Sequence, residues 1–202
     1  MNFVSPTNLL SSYKYRLYPT EEQEVRLKRT LASLCDLYNE LRSEKVERYR
    51  KDKTNLTKTD LRSLALKKRH SSEELGQIHS QLVQNVADRV AIAFKNFFEG
   101  RARFPKNKKH YGKYRSFTYP QSGFNIQRTL EGHKLYLSGI GNVRAFIHRP
   151  MNGRVNRLCI KHDCGEWYAV FLIEQAAPQQ VNVDSIPDER RIRGADLGLE
   201  NS

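Results

Sequence analysis

The apolar period of the chain changes twice, and the order of those changes restricts the fold more than any other feature. Ser12–Tyr18 (SYKYRLY) alternates Tyr13, Tyr15 and Leu17 with Lys14, Arg16 and Tyr18. A period of two in an aromatic-rich stretch predicts a strand, halted by Pro19. Thr20-Glu-Glu-Gln23 then has the form of a capping box, with acids where the helix dipole favours them. Leu27, Leu31, Leu34, Tyr38 and Leu41 recur at steps of four and three, so one face of a helix to about Arg50 is apolar. Lys51–Asn55 reads as a loop. A second helix is predicted over Lys58–Arg69, with Leu61, Leu64 and Ala65 inward. A third is predicted over about Glu73–Glu99, with Ile78, Leu82, Val86, Val90, Ala93 and Phe97 on one face and Gly100 as its stop.

From Ser116 the helical period is gone. Ser116–Tyr119, Lys134–Leu137, Val143–Ile147, Leu158–Lys161 and Trp167–Glu174 read as strands, and glycines punctuate the intervals between them. Asp163-Cys-Gly165 reads as a tight hairpin turn. Short strands at such spacing suggest a small barrel or sandwich. The strand ahead of the helices could pair into it, which would make the helices an insertion. Ala176–Asp188 looks like a linker. Arg190–Leu199 (RRIRGADLGL) reads as the end of a strand, so the sequence looks cut off at the start of another domain.

Charge narrows the partner. The 202 residues carry 35 Lys+Arg against 22 Asp+Glu, a formal net charge of +13. Such an excess attracts polyanions, with nucleic acid as the default. The aromatic share, 10%, is too high for a disordered tail. No purely apolar run is longer than Ala169–Ile173, which is far short of the about 20 residues a spanning helix needs. The first residues do not read as a secretory signal, and three cysteines (Cys35, Cys159, Cys164) do not suggest a disulfide framework. A cytoplasmic location is expected.

Arg101–Arg115 (RARFPKNKKHYGKYR) concentrates the charge. Arg101, Arg103, Lys106, Lys108, Lys109, Lys113 and Arg115 fall in a stretch without a single acid, interleaved with Phe104, Tyr111 and Tyr114. Cations release counterions from a phosphate backbone and aromatics stack on bases. The same composition also describes a solvated basic loop. Cys159-x4-Cys164, with His148 and His162 nearby, lacks the second close pair of a structural zinc site and reads as hairpin sequence. Gly139-Ile-Gly141 reads as a turn. Asp196, in GADLGL, could aim a carboxylate at a metal, but metal-assisted phosphodiester hydrolysis needs several such groups.

Taken together, the stretches YKYRLYPTEEQ (Tyr13–Gln23), LYNELR (Leu37–Arg42), HSQLVQNVADRVAIAFKNFF (His79–Phe98), RFPKNKK (Arg103–Lys109), SFTYPQSGF (Ser116–Phe124), LYLSGIGNVRAFIHR (Leu135–Arg149), GEWYAVF (Gly165–Phe171) and GADLGL (Gly194–Leu199) occur in an order that resembles the N-terminal half of TnpB, the OrfB-type proteins of insertion sequences. The resemblance implies an α+β chain: a wedge-like β-barrel interrupted by an inserted helical recognition bundle, then the first strand of an incomplete RNase H-like (RuvC) domain. The expected divisions are residues 1–18 (first barrel strand), 19–102 (helical insertion), 103–180 (rest of the barrel) and 181–202 (linker and first RuvC strand).

The implied function is RNA-guided DNA endonuclease activity in bacterial or archaeal insertion-sequence transposition. Guide pairing would read the target while the protein reads RNA shape and a short flanking DNA motif. The expected partners are a guide RNA from the transposon end, target DNA and a missing C-terminal half. Asp196 matches the first RuvC carboxylate and so would be both catalytic residue and Mg²⁺ ligand. Arg101, Arg103, Lys106, Lys108, Lys109, Lys113 and Arg115, with Tyr119 and Gln121, are expected to bind nucleic acid. The family's second and third carboxylates and its zinc ribbon lie downstream of Ser202. The expectation is therefore that this chain alone binds no Mg²⁺ and does not cleave. The alternatives are a stand-alone nucleic-acid-binding module without nuclease activity, and a basic structural or ribosome-associated protein.

Overall fold

A computed structural model describes residues 9–110, 114–130 and 132–175. Its elements run β1 (Leu9–Tyr18), α1 (Glu21–Asp52), α2 (Lys58–Ser71), α3 (Glu73–Gly76), α4 (Ser80–Phe98), β2 (Ser116–Tyr119), β3 (Phe124–Thr129), β4 (Gly132–Leu137), β5 (Gly141–Phe146), β6 (Arg154–Asp163) and β7 (Glu166–Gln175). The expected linker Ala176–Asp188, the terminal strand and Asp196 lie outside the described residues.

The start of α1 follows from its sequence. The Thr20 hydroxyl accepts from the Gln23 N–H, and the Gln23 side chain accepts in return from the Thr20 N–H at 3.1 Å. The helix ends at Lys53, whose φ of 62° is left-handed. Leu27, Leu31, Leu34, Cys35, Tyr38 and Leu41 are buried along one stripe, each large apolar side chain contributing about 1.5–3 kcal/mol of transfer free energy. Thr57 and Asp60 repeat the box at α2. Arg62 of α2 forks onto Asp88 of α4 with two 2.6 Å bonds, fixing those helices side by side.

The third predicted helix is broken. Gly76 closes α3, Ile78 is buried in the turn, and α4 restarts behind His79, whose Nδ1 accepts from the Gln81 N–H at 3.4 Å. The buried stripe of α4 is Leu82, Val83, Val86, Ala87, Val90 and Phe94. Leu82, Val86 and Val90 keep the predicted face, and beyond Val90 it continues at a step of four to Phe94 rather than at a step of three to Ala93.

The strands form one sheet in the order β2-β6-β7-β1-β5-β4-β3. The opening strand is therefore central, antiparallel to β7 from Leu9 to Leu17 and to β5 from Arg16 to Tyr18. The sheet is strongly curled. A flat sheet would set edge strands β2 and β3 about 29 Å apart at about 4.8 Å per step. Yet Tyr119 at the end of β2 and Phe124 at the start of β3 are joined by four residues, which can span at most about 19 Å. Their rings lie 6.1 Å apart, and Phe124 also reaches Phe171 of β7 at 6.3 Å. The expected barrel is thus a half-barrel. A loop and side-chain packing bring its edges together, and no β2–β3 ladder occurs among the described residues.

Tyr15, Leu17, Leu135, Val143, Ile160 and Phe171 fill the concave side. Arg89 of α4 donates to the Ser116 carbonyl at 2.8 Å, and Gln81 accepts from the Ser122 N–H at 2.9 Å, so the helices seat against the β2 edge. Edge strand β3, FNIQRT, was not anticipated. Only Phe124, Ile126 and Thr129 of it are half-buried, and it carries little apolar signal.

Candidate nucleic-acid interface

After Gly100 (φ +70°) ends α4, the chain runs back along α1 as an extended strap. Its contacts descend α1 as its own numbers rise. Arg42 Nε donates to the Pro105 carbonyl at 2.8 Å. Asn39 holds both the N–H and the carbonyl of Lys108, and Asp36 meets His110 at 2.6 Å. The strap therefore lies antiparallel to α1. Pro105 is buried, a position that suits a residue with no N–H to satisfy. Tyr38 and Tyr114 pack at 6.3 Å farther along, and burial pushes the Tyr114 hydroxyl up to about 12.

This arrangement faces cations outward on a fixed backbone. Arg103, Lys106 and Lys109 are exposed and make no ion pair among the described residues. Lys108 is half-buried with its ammonium 5.5 Å from the Tyr38 ring centre. Arg101 pairs with Glu99. Arg115, at the entry to β2, approaches Asp163 at 4.0 Å, and its carbonyl accepts from the His162 N–H. Charges on a strapped backbone lose less conformational freedom on binding a polyanion than charges on a loose loop.

The structure thus brings Arg101, Arg103, Lys106, Lys108 and Lys109 onto one strap and leaves Arg115 at its far end. Lys113 and Asp196 lie outside the described residues. Gln121 is exposed in the loop between β2 and β3. Tyr119 is a correction. It is fully buried and donates its hydroxyl to the Ser138 carbonyl at 3.0 Å, so it presents no face to a ligand. Its strand places Phe117 and Tyr119 inward together, and the period of two carried that signal.

Asn39 and Arg42 both sit in LYNELR and carry no sequence signal of their holding role. Nothing local to α1 marks them, because their partners are more than 60 residues away. Beside the strap, Tyr49, Phe94, Phe97, Phe98 and Phe104 line a cleft of about 350 Å³. The Arg42 guanidinium lies 5.6 Å from the Phe104 ring centre.

Among the described residues no group of three His, Cys, Asp or Glu side chains could hold a metal ion. No described helix is long and apolar enough to cross a membrane.

Comparison with known proteins gives three kinds of match. Residues 9–54 match the family model HTH_OrfB_IS605, described as a helix-turn-helix domain. A protein of Escherichia coli (strain K12) named "Putative RNA-guided DNA endonuclease InsQ" is 26% identical over 175 residues, covering 86% of this chain and 42% of its own length. One of Streptomyces pristinaespiralis named "Putative RNA-guided DNA endonuclease" is 28% identical over 170 residues, covering 81% and 41%. The chain thus spans less than half the length of these curated relatives. A chain in a cryo-EM structure of a Cas12f1–sgRNA–target DNA complex aligns with a TM-score of 0.43 and 11% identity, covering 84% of this chain and 49% of that one. The stretch matched by the helix-turn-helix description is, in this structure, strand β1 followed by the single 32-residue helix α1. It contains no helix pair to set into a major groove in the usual way.

Proposed function

We propose that this chain is of the TnpB/OrfB type and that its 202 residues grip a folded guide RNA and the DNA paired with it, as the nucleic-acid-holding part of RNA-guided DNA recognition in insertion-sequence transposition. The strap carries the reading: Arg103, Lys106 and Lys109, exposed and without an ion pair among the described residues, stand on a backbone that Asn39 and Arg42 hold against α1. A polyanion neutralises those charges, and a pre-ordered backbone presents them as a row. Pairing between guide and target supplies sequence specificity, so the protein needs backbone contacts more than base-edge contacts.

We further propose that these 202 residues do not cleave by themselves, because metal-assisted hydrolysis needs several carboxylates and the resemblance offers Asp196 alone among them. Purified 202-residue protein, incubated with Mg²⁺, a transposon-end transcript and a matched DNA duplex, is expected to shift the nucleic acid in a gel and leave it uncut. Failure to bind the transcript overturns the reading, and site-specific cutting by this polypeptide overturns the division of labour.

A further inference from the structure

The convex face of the sheet carries a second constellation that the strap does not explain. Side chains of β1 alternate, so Tyr15 and Leu17 point into the core while Lys14, Arg16 and Tyr18 point out. Strand β5 does the same: Val143 and Ala145 are inside, Arg144 and Phe146 outside. The register sets Tyr18 opposite Arg144 and Arg16 opposite Phe146, and Arg144 in turn opposite Lys134 of β4. Outward side chains paired in this way lie about 5 Å apart.

The result is an array of rings and cations. Tyr18 has the Arg16 and Arg144 guanidinium carbons 5.2 and 5.8 Å from its ring centre. Phe146 stacks on His148 with centroids 5.9 Å apart and planes 30° apart. Phe146 is 59% exposed and Tyr18 45%, so large apolar faces stand in solvent beside positive charge. Glu166 meets this patch from the β6–β7 hairpin and pairs with Arg16 at 2.5 Å. Tyr18, His133, Arg144, Phe146 and Ile147 line a cleft of about 590 Å³.

We infer that this face is a platform on which unpaired bases of an RNA strand stack, with Arg144, Arg16 and Lys134 holding the phosphates between them. Exposed rings set among cations suit a ligand that is at once aromatic and anionic, which describes a single-stranded nucleic acid. A duplex keeps its bases within its own stack, whereas a folded RNA offers unstacked bases in loops and ends. The inference rests on the proposed function for its ligand but not on the strap for its location. Strap and platform are separate contact regions, one on α1 and one on the sheet.

The test measures binding of a labelled twelve-nucleotide single-stranded RNA by fluorescence anisotropy. Three proteins are compared: the parent, the double variant Tyr18→Leu/Phe146→Leu, and the strap variant Lys106→Ala/Lys109→Ala. Leucine keeps apolar bulk at two exposed sites and removes the ring. The double variant is expected to bind ten- to a hundredfold more weakly, with an unchanged slope of affinity against salt because no cation is lost. Tyr18→Phe/Phe146→Tyr is expected to bind as the parent does. A double variant that binds like the parent overturns the platform, as does an RNA duplex that competes as well as the single strand. A DNA strand of the same sequence that binds equally overturns the assignment to RNA. If the parent binds no RNA at all, the proposed function itself fails. If only the strap variant weakens, the platform alone fails.

Discussion

Asn39 grips Lys108 at both poles of one residue: its Oδ1 accepts the Lys108 N–H at 2.7 Å and its Nδ2 donates to the Lys108 carbonyl at 2.9 Å. A side-chain amide thereby stands in for a neighbouring strand, and the basic strap acquires a backbone partner it could not find in a sheet. Asn39→Ala removes both bonds and leaves the Lys108 N–H needing water. The expected cost is about 1–3 kcal/mol of stability, read by urea denaturation. Affinity for RNA is expected to fall as the strap loosens, while the salt slope stays the same, because every cation is still present. A reduced slope would mean that Asn39 does more than hold the strap in place.

His79 ties stability to pH. Burial, followed by the nearby Arg69, holds its imidazole below the usual value of 6.5. The unfolded chain therefore takes up a proton at a higher pH than the folded one. This contribution is fully present above about pH 6.5 and is lost as pH falls below it, since protonated Nδ1 can no longer accept from Gln81 at the start of α4. His79→Asn keeps a capping acceptor that does not titrate. Thermal melts between pH 7.5 and 5 are expected to show a shallower decline for the variant than for the parent.

Two glycines with the same backbone angle separate strain from collision. Gly153 and Gly132 both have φ +117°, a region nearly closed to other residues. A Cβ on Gly153 would lie 2.5 Å from the Glu174 carbonyl oxygen and 2.9 Å from Ile173 Cγ2, whereas one on Gly132 meets nothing within 4 Å. Gly132→Ala is expected to cost about 1–3 kcal/mol from strain alone. Gly153→Ala is expected to cost clearly more, because β7 must move. Equal denaturation midpoints would contradict the close packing of Gly153 on β7.

What could be read in advance follows from how local each signal is. β1, α1 and α2 carry their periods and caps within a few residues: Tyr15 and Leu17, the Leu27–Leu41 stripe, and the Thr20 and Thr57 boxes. The pairing of β1 into the later sheet was anticipated, because a lone strand ahead of helices must find partners elsewhere. The break at Gln77–His79 was masked by Ile78, which fits the helical period yet is buried in a turn. β3 has too few apolar residues to declare itself. In the site, composition located the strap, but its fixation depends on Asn39 and Arg42, and no residue neighbouring them in sequence reveals where they reach. Tyr119 shows the opposite failure: an aromatic beside a basic stretch invites a binding role, and its strand turns it into the core. The outward row Lys14, Arg16 and Tyr18 was visible as an alternation, but its meaning required the register with Arg144 and Phe146.

Whether an ordered row of strap cations holds RNA phosphates is decided by titrating a folded transcript at several salt concentrations. The parent is compared with Lys106→Ala/Lys108→Ala/Lys109→Ala/Arg115→Ala. Log affinity is expected to fall linearly with log salt for the parent. The quadruple variant should bind more weakly with a slope shallower by about 3–4, since each of the four lost phosphate contacts removes about 0.7–0.9. A variant with the parent's affinity and the parent's slope would mean that the strap is a solvated loop and that the RNA is held elsewhere.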